Sequence, residues 1–254
     1  MNLIDLFDAG VKTHPGATCF VDSGSETGSL TYAEAGALTC QIARGLSARG
    51  FERGFHGAVL SGNVSVAFTA LLGVLRAQGV WLPINARNSV EANIEFLQDM
   101  DCDVLFYQAR YAGQVDEIRK QVPRIRQYVA LEAAGQNDLS VNKLVAGQSG
   151  EMFSVPSQPE ELALIMGTGG TTGRSKGVML SHRNVTALMA NHMSAMYVTE
   201  EMTVLAAAPI THTAGLVSMP FMARGGRVVL MDGIEPQSLL KVLARERVNM
   251  LFLP

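Results

Sequence analysis

Residues 58–79, AVLSGNVSVAFTALLGVLRAQG, indicate the fold class of the chain. Residues 58–60 predict a strand, and the apolar residues that follow recur at helical spacing from about residue 64 to residue 78. Asn63 is the predicted N-cap of this helix, and Gly79 is its predicted terminator. A strand that leads directly into a helix is the repeating unit of parallel sheets, so this stretch predicts an α/β fold.

The same alternation extends upstream. The sequence predicts a helix over residues 3–13, a strand over residues 17–21 and a helix over residues 32–49. Thr31 and Glu34 have the spacing of a capping box at the start of that second helix, and Gly50 follows its end. Both ends of the second helix are therefore specified locally.

Downstream, strands and helices continue to alternate. The predicted elements are a helix capped by Asn88 and Glu91 that runs to about Met100, a strand over 104–107, a helix over 115–121, strands over 127–131, 162–166 and 177–180, a helix from about Arg183 capped by Ser181, a strand over 204–206, a loop over 209–215, a strand over 227–231, a helix opened by Pro236, and a strand over 248–253. Strands joined by helix-length crossovers predict mostly parallel sheets flanked by helices.

The composition of the chain changes between residues 132 and 160. This stretch is rich in Gly, Ser, Gln, Asn and Pro, and it predicts a long connection between a first α/β subdomain (1–131) and a second α/β segment (161–254). The chain ends in VNMLFLP, which predicts a buried strand without a polar tail. Because domains usually end at exposed positions, we expect a fragment of a longer protein. The alternative is an ordinary C-terminal strand that completes the sheet.

Charge and cysteine content exclude several classes of protein. The chain has 20 Lys+Arg and 23 Asp+Glu, a net charge of −3, which argues against a nucleic-acid partner. With 48% hydrophobic residues it is not disordered. Cys19, Cys40 and Cys102 form neither a disulfide framework nor a zinc motif. The charge-free stretches 57–75 and 203–223 contain polar residues or prolines, so no transmembrane segment is expected. We expect a cytoplasmic protein.

Residues 166–178, MGTGGTTGRSKGV, carry the densest chemical signal. Glycines let successive backbone N–H groups turn towards an anion, threonine hydroxyls add donors, and Lys176 supplies a charge suited to phosphate. The alternative is an ordinary surface hairpin with a solvated lysine. A P-loop is excluded because Lys176 lies between Ser175 and Gly177, and a dinucleotide fingerprint is excluded because Thr172 occupies the place of its last glycine.

The longer segment GTGGTTGRSKGVMLSHRNV, residues 167–185, resembles the signature of the adenylate-forming superfamily, which contains acyl-CoA synthetases, luciferases and peptide-synthetase adenylation domains. The family pattern is close to [YF]-T-S-G-[ST]-T-G-x-P-K-G-V. Matching residues are Thr168, Gly170, Thr171, Thr172, Gly173, Lys176, Gly177 and Val178. Gly167, Gly169 and Ser175 replace the aromatic residue, the serine and the proline. Residues 30–50, 70–99 and 209–216 (PITHTAGL) resemble further family segments in the same order.

The resemblance implies the N-terminal part of the adenylate-forming fold, with the C-terminal domain absent, and a reaction in two steps. The chain most resembles a fatty-acid–CoA ligase, so the expected substrate is a fatty acid. Its carboxylate attacks ATP to give acyl-AMP, and coenzyme A then takes the acyl group. It implies that Lys176, Thr171 and Thr172 are catalytic and that Thr168, Gly169, Gly170, Thr171, Thr172, Gly173 and Lys176 bind ATP with Mg²⁺. The missing C-terminal part of the same polypeptide is the expected partner, a homo-oligomer is a further possibility, and this chain alone is expected to be inactive.

The resemblance also places His212 and Gly215 in the pocket for the acid. Taken alone, His212 is by default a satisfied core histidine or a polar residue at the end of a strand. No acidic residue lies between Met202 and Met231, so the segment has no counter-charge for an amino-acid substrate, and an acyl or aryl acid is expected instead. The apolar neighbours suit an alkyl chain or an ordinary core. A catalytically incompetent nucleotide- or acyl-binding or interaction module is the alternative, and the altered Gly169 and Ser175 support it.

Overall fold

The chain folds into two mostly parallel sheets flanked by helices. A computed structural model describes residues 1–25, 28–133, 138–156, 158–168, 176–200 and 202–253. The strands are β1 (Thr18–Asp22), β2 (Ser29–Thr31), β3 (His56–Leu60), β4 (Val80–Leu82), β5 (Val104–Tyr107), β6 (Gln127–Ala130), β7 (Leu139–Ser140), β8 (Leu162–Gly167), β9 (Gly177–Ser181), β10 (Thr203–Ala206), β11 (Arg227–Leu230) and β12 (Met250–Phe252). The α-helices are α1 (Ile4–Thr13), α2 (Tyr32–Ser47), α3 (Ser65–Arg76), α4 (Val90–Asp99), α5 (Ala112–Gln121), α6 (Val141–Val145), α7 (His182–Met196), α8 (Thr213–Ala223) and α9 (Pro236–Arg245).

The strand order confirms the predicted fold class. One sheet has the order β12-β10-β11-β1-β2, and the other has the order β7-β6-β5-β3-β4-β8-β9. Among the described strands, only the pairs β1–β2 and β8–β9 are antiparallel. Parallel neighbours need crossovers, and most of the helices supply them.

Each sheet combines strands from both sides of residues 132–160. Strands β1 and β2 pair in one sheet with β10–β12, while β8 and β9 complete the sheet that β3–β7 begin. The predicted connection also contains β7 and α6. Sheet membership thus differs from chain order, and the division into units 1–131 and 161–254 stays a prediction.

The alternation of side chains across the strands creates three cores. On β3, Val59 faces the largest core, which also takes one face of the other sheet and parts of α1, α2, α3 and α8. Its neighbours Ala58 and Leu60 face a second core under α4 and α5. A smaller core lies between α9 and the far face of the five-stranded sheet. Within the described ranges, no helix is both long and apolar enough to span a lipid bilayer.

The predicted N-cap of α3 is wrong. Val64, not Asn63, occupies the cap position, and its side chain makes no capping bond. The Asp22 carboxylate at the end of β1 instead accepts from the Ser65 N–H (2.7 Å) and from the Ser65 hydroxyl (2.9 Å). A carboxylate from another element therefore accepts the hydrogen bond from the first N–H of α3, and the Asn63 side chain is not needed as a cap.

Two other helix ends differ from the sequence prediction. Gln78 takes the left-handed conformation after α3 (φ 62°), while Gly79 is needed because a side chain there would meet the Phe55 ring. Ser89, rather than Asn88, caps α4 by accepting a hydrogen bond from the N–H of the third residue after it. Local composition identified the turns correctly but placed the caps one residue early or late.

Helix α8 begins inside the segment that the sequence predicts as a loop. It runs from Thr213 to Ala223 and is apolar on every side, so no amphipathic period marks it. The strand predicted over residues 248–253 is also shorter, and β12 is half-buried rather than buried. By contrast, the capping box of α2 and the Ser181 cap of α7 are confirmed.

The hydroxyl of Tyr32 links α2 to the connection between α8 and β11. It donates to the carbonyl oxygens of Gly226 (2.6 Å) and Met222 (3.2 Å) from a fully buried position. Tyr32→Phe is therefore expected to lower the free energy of unfolding by about 1–2 kcal/mol, since the buried Gly226 carbonyl loses the hydroxyl that donates to it, whereas the Met222 carbonyl keeps the Gly225 N–H. Urea denaturation measures this loss. Tyr197→Phe is the control because Tyr197 is 88% exposed, and an equal loss in both variants would contradict the assignment.

Candidate functional site

The hairpin β8–β9 presents the two ends of the glycine- and threonine-rich segment. Gly167 pairs with Gly177 in antiparallel register. The Thr168 N–H donates to the Lys176 carbonyl (2.9 Å), and the Lys176 N–H donates to the Thr168 hydroxyl (3.3 Å). Lys176 is exposed. The predicted strand–loop–strand arrangement is thus confirmed at both ends.

Most of the predicted phosphate-binding residues lie outside the described residues. These are Gly169, Gly170, Thr171, Thr172 and Gly173, together with Ser175. Thr168 and Lys176 are the members of that set that the structure describes, and their roles in binding ATP stay predictions.

The hairpin ends at the same sheet edge as two loops. Strands β3, β4 and β8 are parallel neighbours, so residues 61–64, 83–89 and 168 follow the carboxyl ends of adjacent strands. In α/β proteins, ligands bind in the crevice outside the carboxyl ends of the strands. The position of the hairpin is therefore the one that this class of fold favours for a ligand.

Asn63 connects this edge to the other sheet. Its side-chain amide donates to the carbonyl oxygens of Ala206 (3.0 Å), Ala208 (2.8 Å) and Met231 (2.9 Å). Its side-chain oxygen accepts from the Ile210 N–H (2.8 Å). Asn63 is 5% exposed, so one buried side chain joins the end of β3 to the segments that follow β10 and β11.

Residues 207–212, called the site segment below, are also held from the loop after β4. The Thr211 hydroxyl donates to the Ile84 carbonyl (2.9 Å), and the Arg87 guanidinium reaches the Ala207 carbonyl (3.5 Å). The site segment therefore lies across the carboxyl edge of the seven-stranded sheet.

His212 ends the site segment as the N-cap residue of α8. It is half-buried, and its Nδ1 lies 2.9 Å from the Thr213 hydroxyl. Burial lowers the pKa of His212 below its ordinary value. The imidazole is therefore neutral at pH 7, and a neutral imidazole can donate one hydrogen bond and accept another.

Gly215 has a packing role that the sequence did not indicate. A Cβ at this position would lie 2.4 Å from the Ile210 carbonyl oxygen and 3.2 Å from the Trp81 ring. Only glycine lets the first turn of α8 approach the site segment this closely. The apolar residues around it pack into the largest core: Ala206, Ala208, Ala214, Leu216, Met219, Phe221 and Met222. They are core residues here, and a place for Gly215 in a substrate pocket stays a prediction.

Two of the predicted groups thus lie at the same edge of the sheet, and three contributors were missed. The hairpin with Thr168 and Lys176 and the segment with His212 both lie at the carboxyl ends of parallel strands in the seven-stranded sheet. Sequence reasoning missed Asn63, Thr211 and the Ile84 carbonyl. A polar residue directly after a predicted buried strand was the available signal for Asn63, but it was interpreted as a helix cap.

A separate cavity of about 360 Å³ lies at the opposite edge of the same sheet. Its walls include the first residues of β3, β4 and β8, together with Asn2 and His182. None of the predicted site residues lines this cavity.

Comparisons with known proteins agree with this geometry. A family model described as "AMP-binding enzyme" matches residues 7–254. The feruloyl-CoA synthase of Amycolatopsis sp is 30% identical over 250 residues, which cover 95% of this chain and 46% of that protein. The medium-chain fatty-acid–CoA ligase of Escherichia coli (strain K12) is 26% identical over 261 residues, which cover 97% of this chain and 45% of that protein.

A solved structure supports the fold alone. The anthranilate CoA ligase AuaEII, crystallised in complex with anthranoyl-AMP, superposes with a TM-score of 0.91 at 18% identity. The match covers 100% of this chain and 49% of that one. The chain therefore spans about half the length of each of these three relatives.

Proposed function

The chain belongs to the AMP-binding enzyme family, and on that basis we propose that it is the N-terminal part of an ATP-dependent ligase that joins a carboxylic acid to coenzyme A. In the first step, a carboxylate oxygen attacks the α-phosphorus of ATP, and pyrophosphate leaves with the electrons of the broken P–O bond. In the second step, the coenzyme A thiol attacks the acyl carbonyl, loses its proton and displaces AMP.

The position of the β8–β9 hairpin carries this proposal. The hairpin brings Thr168 and Lys176 to the carboxyl edge of the sheet, where the site segment also lies. The Lys176 ammonium and the hydroxyls of Thr168, Thr171 and Thr172 would bind the phosphates and stabilise the charge that develops on pyrophosphate. The glycines between them would let backbone N–H groups point at the same anion.

Magnesium stays an expectation from the resemblance. Mg²⁺ is usually held by one or two carboxylates together with phosphate oxygens of the substrate. Within the described ranges, no group of three or more His, Cys, Asp or Glu side chains could hold a metal ion. The proposal therefore assigns no residue of this chain to the metal and no step to it.

The substrate class follows from charge. Residues 203–231 contain no acidic residue, so the site segment offers no counter-charge to an ammonium group. We therefore propose a carboxylic acid without an amino group. A fatty acid and an aryl acid are both candidates, because one relative is named for feruloyl-CoA and another for medium-chain fatty acids. The apolar residues of α8 do not choose between them, since they pack in the core.

A comparison of acids tests this substrate class. The polypeptide tested is a chimera in which residues 1–254 replace the matching first half of the Amycolatopsis feruloyl-CoA synthase. We expect ATP-dependent pyrophosphate release with ferulate or octanoate and none with phenylalanine, whose ammonium would be buried without a partner. Release with phenylalanine alone would contradict the substrate assignment.

The same assay separates the ligase from the alternative module. We expect residues 1–254 alone to bind ATP weakly and to form no thioester, because they span half of the relatives' length. Thioester formation by this chain alone would contradict that expectation. Nucleotide binding by the chimera without pyrophosphate release from any acid would favour a catalytically incompetent binding module.

A further inference from the structure

Asn63 makes an unusually complete set of buried contacts. Its four hydrogen bonds, all between 2.8 and 3.0 Å, reach residues that lie 143–168 positions further along the chain. The three carbonyls share the two N–H donors of the amide, and the side-chain oxygen accepts one hydrogen bond, so both donors and the acceptor are engaged. No other side-chain type offers two donors and an acceptor at this length, and the contacts therefore specify asparagine.

These contacts converge on the site segment. Ala208 and Ile210 belong to it, and Ala206 directly precedes it at the end of β10. The Thr211 hydroxyl adds a bond to the Ile84 carbonyl. His212 follows at once, so its backbone position depends on the anchors at Ile210 and Thr211.

From this geometry we infer that Asn63 is a positioning residue for the acid-binding side of the site. It fixes the site segment against both sheets and thereby sets where the His212 imidazole stands. This inference rests on the proposed function for its link to the acid, whereas the anchoring of the segment can be measured independently. Asn63 itself contacts no substrate in this account.

Asn2 provides a matched control. It is also a buried asparagine, 2% exposed. Its amide donates to the Pro156 carbonyl (2.9 Å) and its side-chain oxygen accepts from the Gln158 N–H (2.9 Å). Asn2 lies at the amino edge of the sheet, beside the 360 Å³ cavity. Asn2→Ala therefore removes comparable buried bonds without touching the site segment.

Hydrogen exchange measured by mass spectrometry tests the anchoring. In Asn63→Ala, we expect a peptide spanning residues 207–212 to exchange about tenfold faster or more than in the wild type, because Ile210 loses its acceptor. In Asn2→Ala, the same peptide is expected to be unchanged. Unchanged exchange in Asn63→Ala would overturn the inference.

Ligand binding tests the link to the acid. The probes are AMP and a hydrolysis-resistant feruloyl-adenylate analogue, measured by calorimetry on the 254-residue chain. We expect Asn63→Ala to weaken the analogue about tenfold and AMP less than about threefold, because only the analogue carries the acyl group. A purely structural loss would weaken both equally, and that result would overturn the positioning role.

Two further outcomes keep the test decisive. If Asn63→Ala does not fold, Asn63→Asp replaces it, since this variant keeps an acceptor for the Ile210 N–H but loses both N–H donors to the carbonyls; faster exchange of residues 207–212 supports the inference and unchanged exchange overturns it. If the wild-type chain binds neither probe, the proposed function fails for this chain, and the exchange result alone then decides whether Asn63 anchors the segment.

Discussion

Gly215→Val is expected to lower the free energy of unfolding by about 3 kcal/mol, near the upper end of the usual cost of overpacking a core. The Cβ would lie 2.4 Å from the Ile210 carbonyl oxygen, and a backbone atom cannot move aside as a flexible side chain can. The same Cβ would lie 3.2 Å from the Trp81 ring, so it has little room to shift in that direction either. Chemical denaturation measures the loss.

A glycine in open space provides the control for Gly215. Gly113 lies in α5, and, apart from its chain neighbours and the nearby backbone of its own helix, no atom lies within 4 Å of a Cβ built there. Gly113→Ala is expected to raise the free energy of unfolding by about 0.5–1 kcal/mol, since alanine restricts the unfolded chain and favours the helix. A Gly215→Val variant as stable as the wild type would show that α8 does not approach Ile210 as closely as described.

The same substitution separates packing from binding. Because a Cβ at position 215 would meet the Ile210 carbonyl, a larger side chain there must displace the site segment. We therefore expect Gly215→Val to weaken binding of the feruloyl-adenylate analogue even at temperatures where the variant is fully folded.

Lys176→Ala is expected to weaken ATP binding about tenfold or more, the effect of removing a charged partner of phosphate. Lys176 stands at the base of the hairpin, where its backbone is fixed by two hydrogen bonds to Thr168. Its side chain is exposed. In the chimera, the same variant is expected to abolish acid-dependent pyrophosphate release, because the charge on the leaving group grows during that step.

Lys241→Ala controls for the change in net charge. Lys241 is an exposed residue of α9, so its loss changes the overall charge equally. Equal weakening by both variants would indicate a general electrostatic effect and contradict a specific role for Lys176. If only Lys176→Ala loses affinity, and the difference in affinity between it and the wild type shrinks in high salt, direct contact between Lys176 and phosphate is supported.

The elements that could be predicted from the sequence are those whose decisive contacts are local. Thr31 and Glu34 lie three residues apart, and both bonds of their capping box form within one turn. The strand over residues 104–107 is apolar throughout, and it is buried in the middle of its sheet. The two strands of the β8–β9 hairpin could be predicted because a glycine-rich segment separates two short apolar runs, whereas their antiparallel pairing was not predicted.

The features that could not be predicted depend on a partner that lies far along the chain. Asn63 alone resembles a helix cap, but the carbonyls to which its amide donates belong to residues more than 140 positions away. The start of α8 was missed because an all-apolar helix has no periodic signal. Gly215 resembled a pocket residue, but its close contact with Ile210 only becomes visible in three dimensions.

The most direct test of the account is a crystal structure of the chain grown with a non-hydrolysable ATP analogue. We predict that the triphosphate lies against residues 168–176, within reach of the Lys176 ammonium, at the carboxyl edge of the seven-stranded sheet. A nucleotide bound in the cavity at the amino edge, or a hairpin turned away from the phosphates, would contradict it.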